Sequence, residues 1–278
     1  MNNRFFSFIA LIGATLGVLS GAVVLGAGEE LTQLNDAALA AHRKRCLSEA
    51  SAAYTRLLER DRPADPTAEQ RALIFKFAPR LYLVDGEFFP LKDIVAILHP
   101  DRPVIGYHLF WEDDIAYPAD NDPCDHEIVW IEYDPATLKV VRVSTYFHGR
   151  VLSPAGAVDE ANAHDGQAWI GVEWGFHGSV PWGATELVAE TFKKHWELAH
   201  IKARDLPRSP LARGWPSSYP GDLAAYSTFS IPHDPAPALR QPGLIYVSRW
   251  PMAVLNRYCL RYNFATKTEW PWLAVEKP

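Results

Sequence analysis

Asp122, Asp125, His126 and Glu127 fall within six positions of one another in the stretch NDPCDHEIVWIEYD, residues 121–134, directly ahead of an alternating apolar run. In an extended strand alternate residues share a face, so Asp125 and Glu127 point the same way as Val129, Ile131 and Tyr133. Carboxylates gathered against an apolar wall are costly unless they are paired, protonated or bound to a cation. A cation is the economical solution. Several carboxylate oxygens suit magnesium, calcium or manganese, whereas added imidazoles favour transition metals, so Mg, Ca or Mn is expected ahead of Zn. No C-x-x-C pair is present to build a cysteine-rich zinc site.

Two further histidines each precede a glycine at the end of a strand-like run: His148 in TYFHGR and His177 in WGFHGS. Parity favours His177, which aligns with Gly171, Glu173 and Gly175. His148 aligns with Arg142, Ser144 and Tyr146, the less apolar side of its run, and needs a bulge near Phe147 to turn inward. His195 and His200 are five residues apart on a helical segment and lie on different faces, which argues against a paired metal site there.

The elements that must position these groups follow from periodicity. Leu31, Leu34, Ala38, Ala41, Leu47, Ala50, Tyr54, Leu57 and Leu58 recur at three- and four-residue spacing, an amphipathic helix over about 30–62. Pro63 and Pro66 end it, and Thr67 opens a short second helix in which Thr67 and Glu69 miss the spacing of a capping box. Short runs rich in Val, Ile, Tyr and Trp then appear at 80–84, 104–111, 127–134, 140–147, 168–174 and 243–250, with Asp134-Pro135-Ala136-Thr137 as a hairpin turn. One helix, 184–206, interrupts them, and a Pro-rich loop region spans 207–242. The fold class is mainly β: an antiparallel β-sandwich with flanking helices, α+β overall. The Trp-rich C-terminal stretch, with Trp250, Trp270 and Trp272, reads as core packing or as a ligand-facing surface.

Four of these pieces together resemble the necrosis-inducing Nep-like proteins and their wider relatives, the vacuolar-protein-sorting-62-like proteins. FAPRLYLVDGEFFP (77–90) resembles the opening strand of those relatives. YHLFWEDD followed by DHE resembles the Nep-like tract that runs from an aromatic strand ending in Asp to an H-R-H-D-W-E hallmark, and the two His-Gly strand ends follow in the family's order. The resemblance covers about 77–183. It implies a β-sandwich that holds a divalent cation, with Asp114 at the strand-end Asp, Asp125 and Glu127 at the hallmark's Asp and Glu, and His148 and His177 at the later histidines. Asp122 stands at the hallmark's first His and His126 at its Trp. The implied metal ligands are therefore Asp114, Asp122, Asp125, Glu127, His148 and His177. Nep-like toxins bind sphingolipid headgroups through their cation.

The chain of 278 residues carries a net charge of −6, with Lys and Arg scattered, so it offers no electrostatic footprint for nucleic acid. Arg4, an apolar stretch from Phe5 to Ala27 and then Glu29 and Glu30 form an export signal. The stretch also reaches the roughly 20 residues a bilayer span needs, so a cleaved signal and a retained membrane anchor both fit. Export, to the periplasm or the exterior, permits disulfides; Cys46, Cys124 and Cys259 allow one bridge, and Cys124 with Cys259 would tie the acidic loop to the C-terminal region. The expected organisation is a signal or anchor over 1–28, a helical extension over 29–66 and the sandwich over 67–278. The leading functional expectation is an exported cation-binding protein taking a lipid headgroup, glycan or small molecule. A metal-dependent hydrolase with Glu127 as base is the alternative, and a structural secreted domain without metal is the third. G-x-S-x-G, H-E-x-x-H and Gly-rich phosphate loops are absent.

Overall fold

The structure, a computed structural model, describes residues 13–115, 124–207, 214–259 and 267–274. It divides into two compact units, residues 1–62 and 63–278. In the first, α1 (Gly13–Arg43) and α2 (Leu47–Arg60) form a helical hairpin. The single helix expected over 30–62 breaks at Lys44–Cys46, where Arg45 takes a left-handed backbone (φ 59°). Neither Gly nor Pro marks that break. Within this unit Ala38, Ala50, Ala53, Tyr54 and Leu57 are buried, and Tyr54 shares a hydrogen bond with His42. Residues 5–12 of the apolar N-terminal stretch lie outside the described residues. Among those described, no helix is long and apolar enough to cross a membrane.

The second unit is a sandwich-like α+β fold of two mixed sheets. It begins with α3 (Ala68–Lys76), whose Thr67 cap forms a capping box after all. The partner is Gln70 rather than Glu69: Gln70 N–H donates to Thr67 Oγ1 at 3.2 Å and Thr67 N–H to Gln70 Oε1 at 2.9 Å. Strands β1 (Arg80–Val84), β2 (Leu91–Leu98), β3 (Val104–Trp111), β4 (Asp125–Tyr133), β5 (Val140–Phe147) and β6 (Arg150–Leu152) follow, then α4 (Gly156–Ala163), β7 (Trp169–Val172) and β8 (Ser179–Pro181). α5 (Thr185–Trp196) continues as a π-helical and then a 3-10 turn to Asp205, and β9 (Phe229–His233) and β10 (Ile245–Val247) complete the sheets.

One sheet has the order β10-β2-β3-β4-β5-β6 and the other β8-β7-β1-β9. Hairpins make most pairs antiparallel, but β1 pairs with β7 and β2 with β10 in parallel. Between the sheets lies a core of Leu81, Ile94, Ile105, Leu109, Val129, Ile131, Val143 and Ile170, among others. The odd-numbered apolar face of β4 points into this core, as alternation requires. β3 is buried on both faces, because the C-terminal segment covers the outer side of the sheet. There Trp130 Nε1 donates to the Glu269 carbonyl, and Phe110 stacks on Tyr258. Trp270 is buried, so it serves packing. The C-terminal region opens with a short helix, Asn256–Cys259.

Thr67→Ala removes one half of the capping box at the sandwich's first helix. It should cost about 1 kcal/mol of stability, read from the urea midpoint at unchanged m-value.

Candidate functional site

Two hairpin turns bring the chemistry together. β5 and β6 close through His148 and Gly149, with Phe147 paired to Arg150. Both turn residues are left-handed, φ 43° and 86°, the signature of a two-residue type I′ turn whose twist matches that of the strands. This turn, rather than a bulge near Phe147, takes His148 off the parity of its strand. β7 and β8 close through residues 173–178, where His177 N–H donates back to the Glu173 carbonyl and Glu173 N–H to Gly178. His177 is again left-handed, φ 52°.

Glu173 has no solvent exposure. Its Oε2 accepts from His148 Nε2 at 2.7 Å, and its Oε1 from His195 Nδ1 at 2.8 Å and from the Tyr226 hydroxyl at 3.0 Å. His195 comes from α5, and Phe176 packs on its ring at 4.5 Å. Burial works to raise the Glu173 carboxyl, but the hydrogen bonds from His148 and His195 outweigh it and hold the group below the usual carboxylate range. Burial, reinforced by the charge of Glu173, pushes the Tyr226 hydroxyl well above its ordinary value. One ligand atom from each of His148, Glu173 and His195 can be chosen so that all lie within 4.8 Å of one another. The two imidazoles keep partial exposure, 30% and 22% of their side chains. Gly178 makes room for this: a Cβ there would stand 2.7 Å from His148 Nε2 and 2.9 Å from Glu173 Oε2.

A second cluster surrounds His177, which is fully buried and stacked face to face on Trp111 at 4.4 Å. Its Nδ1 lies 3.1 Å from Asp125 Oδ2, and its Nε2 lies 3.5 Å from Glu87 Oε1. Glu87 is fixed by the N–H groups of Phe88, Phe89 and Gly175. Desolvation pulls the imidazole down, but Glu87 and Asp125 together raise it to about 10. Against the same desolvation, His177 lowers both carboxyls. The ring spends its two nitrogens on two different carboxylates, so Asp125, His177 and Glu87 form a charged bridge instead of converging on one point.

Glu127, another carboxylate expected at a cation, forms an ion pair of 2.7 Å with Lys267, which also bonds the His126 carbonyl. Burial pushes Glu127 up to about 8, with Lys267 opposing. Asp114 is half-buried just beyond β3, its N–H donating to Asp113. Asp122 lies outside the described residues. Of the six implied ligands, Asp125 meets His177, Glu127 pairs with Lys267 while feeling the charges of both Asp125 and His177, and His148 belongs to Glu173. His126 faces away from these groups as alternation requires, stacked between His108 and Phe110. Cys124 is a free thiol, and burial beside Asp125 and Asp113 pushes it up to about 12. The side chain of Cys259, its expected partner, lies outside those described.

Sequence reasoning left out Glu173, His195, Tyr226, Glu87 and Lys267. Glu173 carried a signal, its shared parity with His177. His195 was weighed only against His200, which instead bonds the Tyr219 carbonyl and stacks on Trp196. Its real partners come from other elements.

No protein-family model and no curated protein matches the chain. Two solved structures are similar to part of it. One is necrosis and ethylene inducing protein 2 from the causal agent of cocoa's witches' broom disease, 16% identical over 40% of this chain and 64% of that one, with a TM-score of 0.28. The other is described as a toxin fold for microbial attack and plant defense, 13% identical over 42% of this chain and 69% of that one, with a TM-score of 0.31. The chain thus spans less than two thirds of the first.

The His177 bridge makes a signed prediction. A histidine raised in the folded state adds stability that is complete below its unfolded value of about 6.5 and is lost as pH climbs towards 10. The melting temperature should therefore fall from pH 7 to pH 9.5, and His177→Gln should be less stable at neutral pH with a flatter alkaline limb. An equally steep limb in the variant would assign the loss to other groups.

Proposed function

We propose that the protein is an exported divalent-cation-binding protein that presents a cation, held by His148, Glu173 and His195, to the oxygens of a polar headgroup or glycan. The observation that carries this reading is the convergence of two partly exposed imidazoles on one fully buried carboxylate. Three protein ligands leave coordination positions open for a ligand, as in sites that bind or activate exogenous oxygen. Two imidazoles and one carboxylate move the preference from calcium and magnesium towards manganese, iron or zinc. Bound there, the cation would act as a Lewis acid towards a ligand oxygen. Tyr226, bonded to Glu173 Oε1, would orient the carboxylate.

The surroundings support the same reading. His148 lines a cavity of about 890 Å³ together with Arg142, Arg150, Ser144, Ser153 and Tyr146. Two guanidiniums and three hydroxyls suit an anionic or hydroxylated group. The Arg150 guanidinium is anchored on the Leu187 carbonyl of α5, the helix that supplies His195. Hydrolysis would need a base free to take a proton beside the cation, and Glu127 is held by Lys267 instead. The N-terminal stretch supports export.

Purified protein should bind about one equivalent of Mn²⁺ or Zn²⁺ and gain melting temperature with it. His148→Asn keeps a residue suited to the left-handed turn and removes the imidazole. That variant and His195→Ala should remain folded by circular dichroism and lose both metal and thermal gain, while Tyr226→Phe should weaken binding by about tenfold to a hundredfold. Full metal content in both histidine variants would contradict the assignment.

A further inference from the structure

The four-stranded sheet carries a second pocket, of about 230 Å³, that shares no residue with the proposed cation site. Its walls are aromatic: Tyr82 from β1, Trp169 from β7, Trp182 just beyond β8, and Phe229 from β9. Gly171 forms part of the floor, because a Cβ there would strike the Phe229 ring at 2.5 Å. The register that pairs Ile170 with Pro181 sets Trp169 and Trp182 side by side on neighbouring strands. Their rings meet at 87° with centroids 5.8 Å apart, and Tyr82 lies 4.8 Å from Trp169. Trp182 is 54% exposed and lies outside the core clusters, so core packing does not account for it.

Four aromatic side chains thus line one small pocket, with Trp169 and Trp182 at right angles to each other. A cation seated within about 6 Å of a ring centroid is attracted by the negative face of the ring. None of the residues lining the pocket is charged, and Thr185 and Tyr82 are its hydroxyl-bearing members. A primary ammonium or a guanidinium placed here would need acceptors for its N–H groups, and the lining offers few. A sugar ring would likewise call for an array of hydrogen-bonding partners. A quaternary ammonium has no N–H to satisfy, spreads its charge over methyl groups and gains from both apolar contact and the ring quadrupoles. We infer that this pocket binds a quaternary ammonium group of the choline type, independently of the proposed cation site.

The test is calorimetric titration of the full chain with tetramethylammonium, choline and the neutral isostere 3,3-dimethylbutan-1-ol, with chelator present. Saturable binding of both cations, with the alcohol at least roughly tenfold weaker, is expected. Trp182→Ala, at an exposed position that should leave the fold intact, should weaken choline by roughly tenfold or more, and Trp182→Phe by less. His148→Asn should leave it unchanged. Sedimentation with phosphatidylcholine but not phosphatidylglycerol vesicles would make the source a lipid headgroup; binding of free choline without vesicle capture would make it a soluble choline compound. Equal affinity for the neutral alcohol, no binding of either cation, a methyl glucoside bound in their place, or unchanged affinity in Trp182→Ala would each overturn the inference.

Discussion

A carboxylate without solvent exposure must be compensated, and the arrangement around Glu173 meets that constraint. Leaving such a charge unpaired would cost several kcal/mol. Two imidazoles and a phenol converge on it, and each comes from a different element: the β5–β6 turn, α5 and the short helix Leu223–Tyr226. The left-handed turn at His148, the missing side chain at Gly178 and the placement of α5 against the sandwich all follow from the need to deliver donors to one buried group.

The same loop supplies the second charged cluster. His177 stands four positions after Glu173, and its N–H donates to the Glu173 carbonyl. The backbone of one short hairpin therefore sets both the carboxylate of one cluster and the imidazole of the other. The two differ in what they can do. His177 is enclosed by Trp111 and Phe89 and divides its ring between Asp125 and Glu87, which makes it a buried tie between β4, β7 and the loop after β1. His148 and His195 keep part of their surface open and share one carboxylate, so that cluster can accept a ligand from outside.

Much of the sandwich was legible in the sequence because its strands alternate. The expected bounds of β1, β3 and β5 match those observed, and the hairpin after Asp134 forms where its turn residues place it. β2 escaped notice because Lys92 and Asp93 interrupt its start, although from Ile94 to Leu98 it is buried on both faces. The break at Arg45 and the π-helical end of α5 have no local marker. The parallel pairs β1–β7 and β2–β10 join segments far apart in the chain, which local patterning does not encode. At the site, Asp125 and Glu127 of the acidic stretch are paired with His177 and Lys267 and both His-Gly ends meet carboxylates, while the division into two clusters was not legible. Strand parity fixes the face a residue points to, but partner choice depends on turn geometry: one type I′ turn gave His148 to Glu173, and α5 brought in His195 from outside the strand pattern altogether.

The most direct measurement is anomalous scattering from a crystal of the protein grown with Mn²⁺ or Zn²⁺, recorded at the absorption edge of the metal. The account predicts one dominant peak about 2.0–2.3 Å from His148 Nε2, a Glu173 carboxylate oxygen and His195 Nδ1. A peak between Asp125 and His177, or a fully metal-free His148–Glu173–His195 cluster at saturating metal, would contradict it.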